Sequence, residues 1–136
     1  MAKPPPQPRL TADVIITRPG DRSSILLVRR RNPPHGWALP GGYVAYGESV
    51  EDAARREALE ETRLNVTLER LFHVYSDPSR DPRGHTVTVV FVGEAEGTPV
   101  GGDDAAEARF FDAERLPEAI AFDHAAILDD FLTRKY

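Results

Sequence analysis

The sequence predicts an α/β protein of the α+β type: a mixed β-sheet sandwiched between α-helices. Three observations predict it. The chain has 136 residues, enough for one core that buries about two-thirds of the unfolded surface. Short β-branched apolar runs recur between clusters of Gly, Pro, Asp and Ser, the pattern of strands and turns. Two stretches instead carry helical periodicity, one in the middle and one at the end.

The elements follow in order. Residues 1–9 hold four prolines and almost no apolar content, so they predict a flexible or polyproline-like tail. Residues 10–136 form the single domain. Ala12–Thr17 and Ser24–Arg29 read as strands joined by the turn residues of Arg18–Arg22. Asn32–Gly36 breaks the chain, and Trp37–Leu39 is a short apolar segment before Pro40-Gly41-Gly42. Tyr43–Tyr46 predicts a brief strand. Ser49 to about Thr62 predicts a helix, because Ser49 can cap its first turn and Asp52 stands at capping-box spacing. Val66–Val74 is a mixed strand and residues 76–84 a polar loop. His85–Gly93, rich in Val and Thr, is the strongest strand signal. Gly97–Asp104 reads as a loop, Ala108–Phe111 as a short strand, and Glu114–Pro117 as a turn or helical start. His124–Thr133 predicts an amphipathic helix with Ile127, Leu128, Phe131 and Leu132 apolar.

Composition excludes several classes. There is no cysteine, so disulfide scaffolds, zinc-thiolate sites and Cys nucleophiles are absent. The formal charge of −5 argues against a nucleic-acid footprint, which needs a basic stripe. No apolar run reaches transmembrane length, and the N-terminus lacks an apolar signal core. No membrane or nucleic-acid partner is expected, and a cytoplasmic location is.

The charge is unevenly spread. Residues 48–61 (ESVEDAARREALEE) hold six acids and two bases, while the other 122 residues hold sixteen and fifteen. On a wheel of about 100° per residue, Glu57, Glu60 and Glu61 share an arc of roughly 100°. Val50, Ala53, Ala54 and Ala58 lie on the same side, so the carboxylates point toward the domain. Adjacent like charges destabilise a helix, its C-terminal end disfavours anions, and inward carboxylates require partners. Arg55 points away, at roughly 160° on the same wheel. A hard divalent cation such as Mg²⁺ is the more economical partner. The glycines of Leu39-Pro-Gly-Gly-Tyr43 let backbone approach a ligand closely, and a carbonyl of Gly41 or Gly42 can complete a metal shell.

Gly42, Glu48, Arg56-Glu57, Ala58, Glu60-Glu61 and Leu64 stand at the spacing of the Nudix hydrolase signature, which the chain therefore resembles. Only the late Gly of the signature is missing, replaced by Arg63. Leu26–Arg29, Trp37–Gly42 and Ala108–Phe111 resemble the family's flanks, and the likeness covers roughly residues 10–135. The resemblance implies a Nudix fold whose members hydrolyse a nucleoside diphosphate linked to another moiety. By position, Glu57, Glu60 and Glu61 are implied metal ligands with a carbonyl of Gly41 or Gly42, holding Mg²⁺ with Mn²⁺ as a substitute. Glu48 and Arg56 are implied to pair and brace the loop. Arg63 stands where Gly enters the left-handed region cheaply, at a cost on the order of 1 kcal/mol. Asn65 offers an alternative helix end.

The loop Tyr75–Thr88, with Pro78 about 15 residues beyond the box, is similar to that of ADP-ribose pyrophosphatases, as is Ala121-Phe-Asp-His124. The implied reaction converts ADP-ribose to AMP and ribose 5-phosphate. Alternatives are an oxidised dNTP, NADH, a nucleotide sugar, a dinucleoside polyphosphate, or a non-catalytic nucleotide-binding module. Arg80 and Arg83 are candidate diphosphate or ribose contacts, since guanidinium binds phosphate bidentately, or else loop charges paired with Asp77 and Asp81. Arg29, Arg30 and the aromatics Trp37, Tyr43, Phe72 and Tyr75 are further substrate candidates. The family often takes its general base from the loop before the late strand. Asp103, Asp104 and Glu107 occupy that region; Glu107 is taken first, with Glu61 the alternative. A homodimer is implied by the same resemblance.

Overall fold

The computed structural model describes residues 3–136. Residues 3–8 are exposed and carry no regular structure, and the first two residues of the expected tail lie outside the described residues. Seven strands follow in chain order with two helices: β1 (Arg9–Arg18), β2 (Asp21–Arg30), β3 (Trp37–Ala38), β4 (Gly41–Tyr43), α1 (Val50–Thr62), β5 (Thr67–Tyr75), β6 (Thr86–Glu94), β7 (Ala105–Asp112) and α2 (His124–Leu132).

The strands make one mixed sheet in the order β3-β2-β1-β6-β5, with β4 also on β1 and β7 also on β2. β1 and β6 run parallel and the other pairs antiparallel. Alternation assigns the faces. Ala12, Val14, Ile16, Leu26 and Val28 pack with Ala53, Ala54 and Ala58 of α1. Ile15, Ile25, Leu27, Val90 and Val92 pack with Ile127, Leu128 and Phe131 of α2. The alanines of α1 carry little bulk, so the helix that bears the carboxylates packs close to β1 and β4. Phe131 is fully buried, and truncating such a ring costs about 3–5 kcal/mol.

One strand lies elsewhere than the sequence predicts. β4 occupies Gly41–Tyr43 rather than Tyr43–Tyr46. Tyr43, Gly42 and Gly41 register with Thr11, Ala12 and Asp13. A Cβ on Gly41 would lie 2.4 Å from the carbonyl oxygen of Ala12, so only glycine can run this close to β1. Tyr46 is fully exposed.

This short strand creates the cleft. β1 and β2 register with each other only near their shared turn, at Thr17–Ile25 and Arg18–Asp21. Beyond it they diverge. β4 takes the vacated side of β1, while β2 continues with β3 and β7. The gap between the diverging strands is the concave feature on which the acidic helix opens.

Candidate active site

α1 begins as its sequence predicts, with the Ser49 hydroxyl accepting from the Asp52 amide at 3.1 Å. The reciprocal half of the capping box is absent, because the Asp52 carboxylate accepts from Arg55 instead. The helix ends at Thr62, and Arg63 itself takes the left-handed conformation, φ 63°. Asn65 does not take over that role. The Arg63 amide donates to Leu59 and the Val100 amide to Thr62, so the 100–102 loop satisfies the helix end.

The cleft is lined by residues from every side of the gap, including Asp13, Arg30, Gly41, Gly42, Glu57 and Glu61. Glu61 is buried, and its Oε1 accepts from the Gly41 amide at 2.8 Å. Burial pushes its carboxyl up to about 9; the Gly41 hydrogen bond opposes the shift, and the charges of Glu57 and Asp13 add to it. Burial also raises Glu57, against the pull of Arg56. A Cβ on Gly42 would stand 2.6 Å from the Glu57 carboxyl carbon, so this glycine is where backbone and carboxylate meet.

Glu60 lies apart from this pair. Its side chain is 40% exposed and it pairs with Arg56 at 3.3 Å. Arg56, rather than Arg55, is the cation among the carboxylates. It forks onto Glu48 through Nε (2.7 Å) and Nη2 (2.9 Å), and Nη1 donates to Glu57 at 2.9 Å. Nη2 also reaches the Tyr43 carbonyl. The Ala45 amide donates to Glu48, so one guanidinium ties β4, the following loop and α1 together. Arg56 holds the Glu48 carboxyl down at about 2.

The donor chemistry suits a hard divalent cation. Buried Glu61 and half-buried Glu57 share one wall, where negative charge is costly without compensation. The Gly41 carbonyl is also available. Val14–Pro40 and Val44–Leu10 are hydrogen-bonded, so alternation along the ladder makes Ala12–Gly42 the next bonded pair. Gly42 is thereby committed to β1, while Gly41 faces outward with its amide on Glu61. Among the described residues no three Asp, Glu or His side chains enclose an ion by themselves. Backbone oxygen and water would have to complete the shell.

The other predicted residues fall in different places. Arg80 lines the cleft, yet its guanidinium forks onto Asp123 at 2.7 and 2.9 Å and donates to Thr86 at 2.7 Å. It pairs with neither Asp77 nor Asp81. Arg83 lines the cleft with Nε and Nη2 on Asp81. Arg29 lies on the opposite face of β2 from Arg30 and meets Glu107, its cross-strand neighbour, at 3.4 Å. Neither Arg29 nor Glu107 reaches the cleft, whereas Asp104 does. Tyr75 donates to Asp130 of α2 at 2.8 Å, and it is likewise outside the cleft.

Sequence reasoning missed a buried polar group at the cleft floor. The Thr88 hydroxyl donates to Asp13 Oδ2, His124 Nε2 stands 3.8 Å from the same oxygen, and the Leu39 amide donates to His124 Nδ1 at 2.9 Å. The lone acid in ADVIIT is the signal that could have found it. Burial raises Asp13 and lowers His124. Nδ1 accepts, so the neutral ring carries its proton on Nε2, facing Asp13.

Comparison with known proteins agrees with this arrangement. A family model described as NUDIX domain matches residues 7–131. The ADP-ribose pyrophosphatase of Methanocaldococcus jannaschii is 45% identical over 130 residues, covering 94% of this chain and 75% of that protein. A MutT/nudix family protein from Enterococcus faecalis superimposes with TM-score 0.85 at 31% identity, over 98% of this chain and 64% of that one. A bifunctional NMN adenylyltransferase/ADP ribose pyrophosphatase from Francisella tularensis, complexed with AMP and manganese ion, gives TM-score 0.81 at 25% identity. That match covers 97% of this chain and 43% of the other. The chain thus spans less than two-thirds of either solved structure. The family model over residues 7–131 and the 45% identical relative, with the acidic helix and its Glu48–Arg56 brace in place, show that the chain belongs to the Nudix family of pyrophosphohydrolases.

Proposed function

We propose that the protein hydrolyses the diphosphate of ADP-ribose, giving AMP and ribose 5-phosphate, with Mg²⁺ (or Mn²⁺) at the acidic wall. The observation that carries the reading is the pair of buried Glu61 and half-buried Glu57, set against Gly41 and Gly42 on an open cleft. The substrate follows the 45% identical relative named ADP-ribose pyrophosphatase. The metal follows the donor set and the manganese of the Francisella structure.

Glu57 and Glu61 with the Gly41 carbonyl would hold the ion, and Glu60 would join at the rim. Bound there, a divalent ion neutralises diphosphate charge and makes a coordinated water more acidic. Glu61, which burial holds protonated at neutral pH and a bound cation would ionise, is the assigned general base. Its Oε1 stays on the Gly41 amide, and its Oε2 takes a proton from the attacking water. The new P–O bond forms as the bridging P–O bond breaks, and the bridging oxygen leaves with the second phosphate. Glu107, paired with Arg29 outside the cleft, is not retained in that role. Glu48 and Arg56 keep α1 and β4 in register for the reaction. Its proposed location is the cytoplasm, as the sequence reading predicts, and its proposed assembly a homodimer, as the resemblance implies.

A substrate panel tests the reading. ADP-ribose with Mg²⁺ should give AMP and ribose 5-phosphate in equal amounts, and a chelator should stop the reaction. Release of AMP no faster than without protein, alongside turnover of an oxidised dNTP, NADH or a nucleotide sugar, overturns the substrate. A light-scattering mass of one chain overturns the dimer.

A further inference from the structure

Across the cleft from buried Glu61 and half-buried Glu57 stand two arginines, with Asp81 and Asp104 beside them. Arg30 and Arg83 both line the cleft, with Phe122 between them in the lining. The Arg30 guanidinium carbon lies 4.9 Å from the Phe122 ring centroid and that of Arg83 lies 5.1 Å away. Arg83 also lies 5.7 Å from the Tyr43 ring. Two cations share one aromatic mount.

Several features set this group apart from surface charge. Arg30 continues the inward face of β2 that carries Leu26 and Val28, so strand alternation points it into the cleft. Its Nε donates to the Pro34 carbonyl at 2.8 Å. Among the described residues neither of its Nη groups has a hydrogen-bond acceptor. Arg83 engages Asp81 with Nε and Nη2, leaving Nη1 free among the described residues. Burial and the charge of Arg83 both disfavour the Arg30 cation, against the carboxylates of Glu61, Asp104 and Asp81, and the net effect still disfavours it. Like charges held together with unfilled donors are stabilised by an anion.

The backbone supports the same conclusion. Phe122 has φ 57°, a left-handed conformation uncommon for a bulky aromatic. Its neighbours fix it there. The Ala121 amide donates to the Trp37 carbonyl at 2.8 Å, Asp123 accepts from Arg80, and His124 accepts from Leu39. Strain held this firmly beside a cleft points to function.

We infer that Arg30, Arg83 and Phe122 form an anion subsite that receives the diphosphate chain of the substrate opposite the acidic wall. Arg30 and Phe122 are specificity residues in it. The guanidiniums supply charge-assisted donors to phosphoryl oxygens. The ring holds them at the cleft mouth and offers an apolar face to the adjoining sugar or base. The assignment rests on the diphosphate-hydrolase reading but not on ADP-ribose as its substrate.

Inorganic pyrophosphate, titrated calorimetrically in the presence of a chelator, is the probe. The wild-type chain should bind it. R30Q should weaken binding about 10- to 100-fold, the range expected for a lost hydrogen bond to a charged group. R30K, which keeps charge but not the fork, should recover part of the loss. F122N keeps a residue that tolerates left-handed backbone and removes the ring. It should weaken binding while the far-UV spectrum and melting cooperativity stay native. Uncharged adenosine should bind R30Q and R30K as it binds the wild type. Wild-type binding of pyrophosphate retained in R30Q and F122N, or absent in the wild type, overturns the subsite. Arginine-dependent pyrophosphate binding in a chain that does not hydrolyse ADP-ribose overturns the ADP-ribose reading and upholds the subsite.

Discussion

The two walls of the cleft are built in opposite ways. The acidic wall comes from a nearly contiguous stretch, Gly41 to Glu61, folded as a strand, a loop and a helix. The basic wall gathers Arg30, Arg83 and Phe122 from β2, the 76–84 loop and the segment before α2. One wall is a local design and announces itself as charge at helical spacing. The other exists only once distant segments meet. Their chemistry differs too: the acidic wall concentrates buried charge that needs a cation, and the basic wall offers donors that need an anion. A metal-bound diphosphate answers both.

The largest expected effect breaks the acidic wall. Glu61→Gln removes the assigned base while keeping a group that accepts from the Gly41 amide. Turnover with Mg²⁺ should fall about 10²- to 10⁴-fold, the range for a positioned general base, with melting temperature kept, since the amide replaces a carboxyl of nearly the same shape that burial already holds neutral. Near-normal kcat would sink the assignment.

The next tests the frame beneath the basic wall. Arg80→Met leaves Asp123 without its fork, and the side chain is 4% exposed. Breaking a buried pair costs about 3–5 kcal/mol. Chemical denaturation should show that loss, whereas a stable variant with a selective rise in KM would return Arg80 to the substrate.

The third tests the brace by pH. The unfolded Glu48 carboxyl titrates near 4.5 and the folded one near 2. A depressed folded pKa gives stability that is present above 4.5 and lost as pH falls toward 2. Stability measured over that window should fall less steeply in Glu48→Gln than in the wild type. Identical acid limbs would remove the brace.

The smallest concerns the helix end. Arg63→Gly relieves a left-handed arginine and should raise stability by about 0.5–1 kcal/mol, read as an upward melting shift with kcat unchanged. A gain in Mg²⁺-dependent turnover instead would tie Arg63 to catalysis.

The same contrast explains what could be read in advance. The helix from Ser49 and the inward Glu57 and Glu61 are legible because they rest on spacing within 14 residues, whereas the Glu48–Arg56 pair is legible only through the family resemblance. Glu60 was placed with them by the wheel, yet Arg56 holds it at the rim. Arg29 and Arg30 were indistinguishable, since nothing in Val-Arg-Arg says which side chain faces the gap. Tyr75 and Glu107 were drawn to the site by position along the chain, but α2 and β2 supply their partners. Phe122 is marked only as part of Ala121-Phe-Asp-His124, and its role stays hidden because it depends on a backbone angle fixed by β3 and α2.

By itself, the sequence determined the class of fold and the metal-suited helix, since periodicity and i, i+3, i+4 spacing are local properties of a chain. Only the tertiary structure decided where β1 and β2 part, that β4 runs on the glycines, and which arginines face the opening. Those outcomes depend on register and packing between segments up to 109 residues apart, as between Arg22 and the Phe131 carbonyl. No local pattern encodes such a meeting.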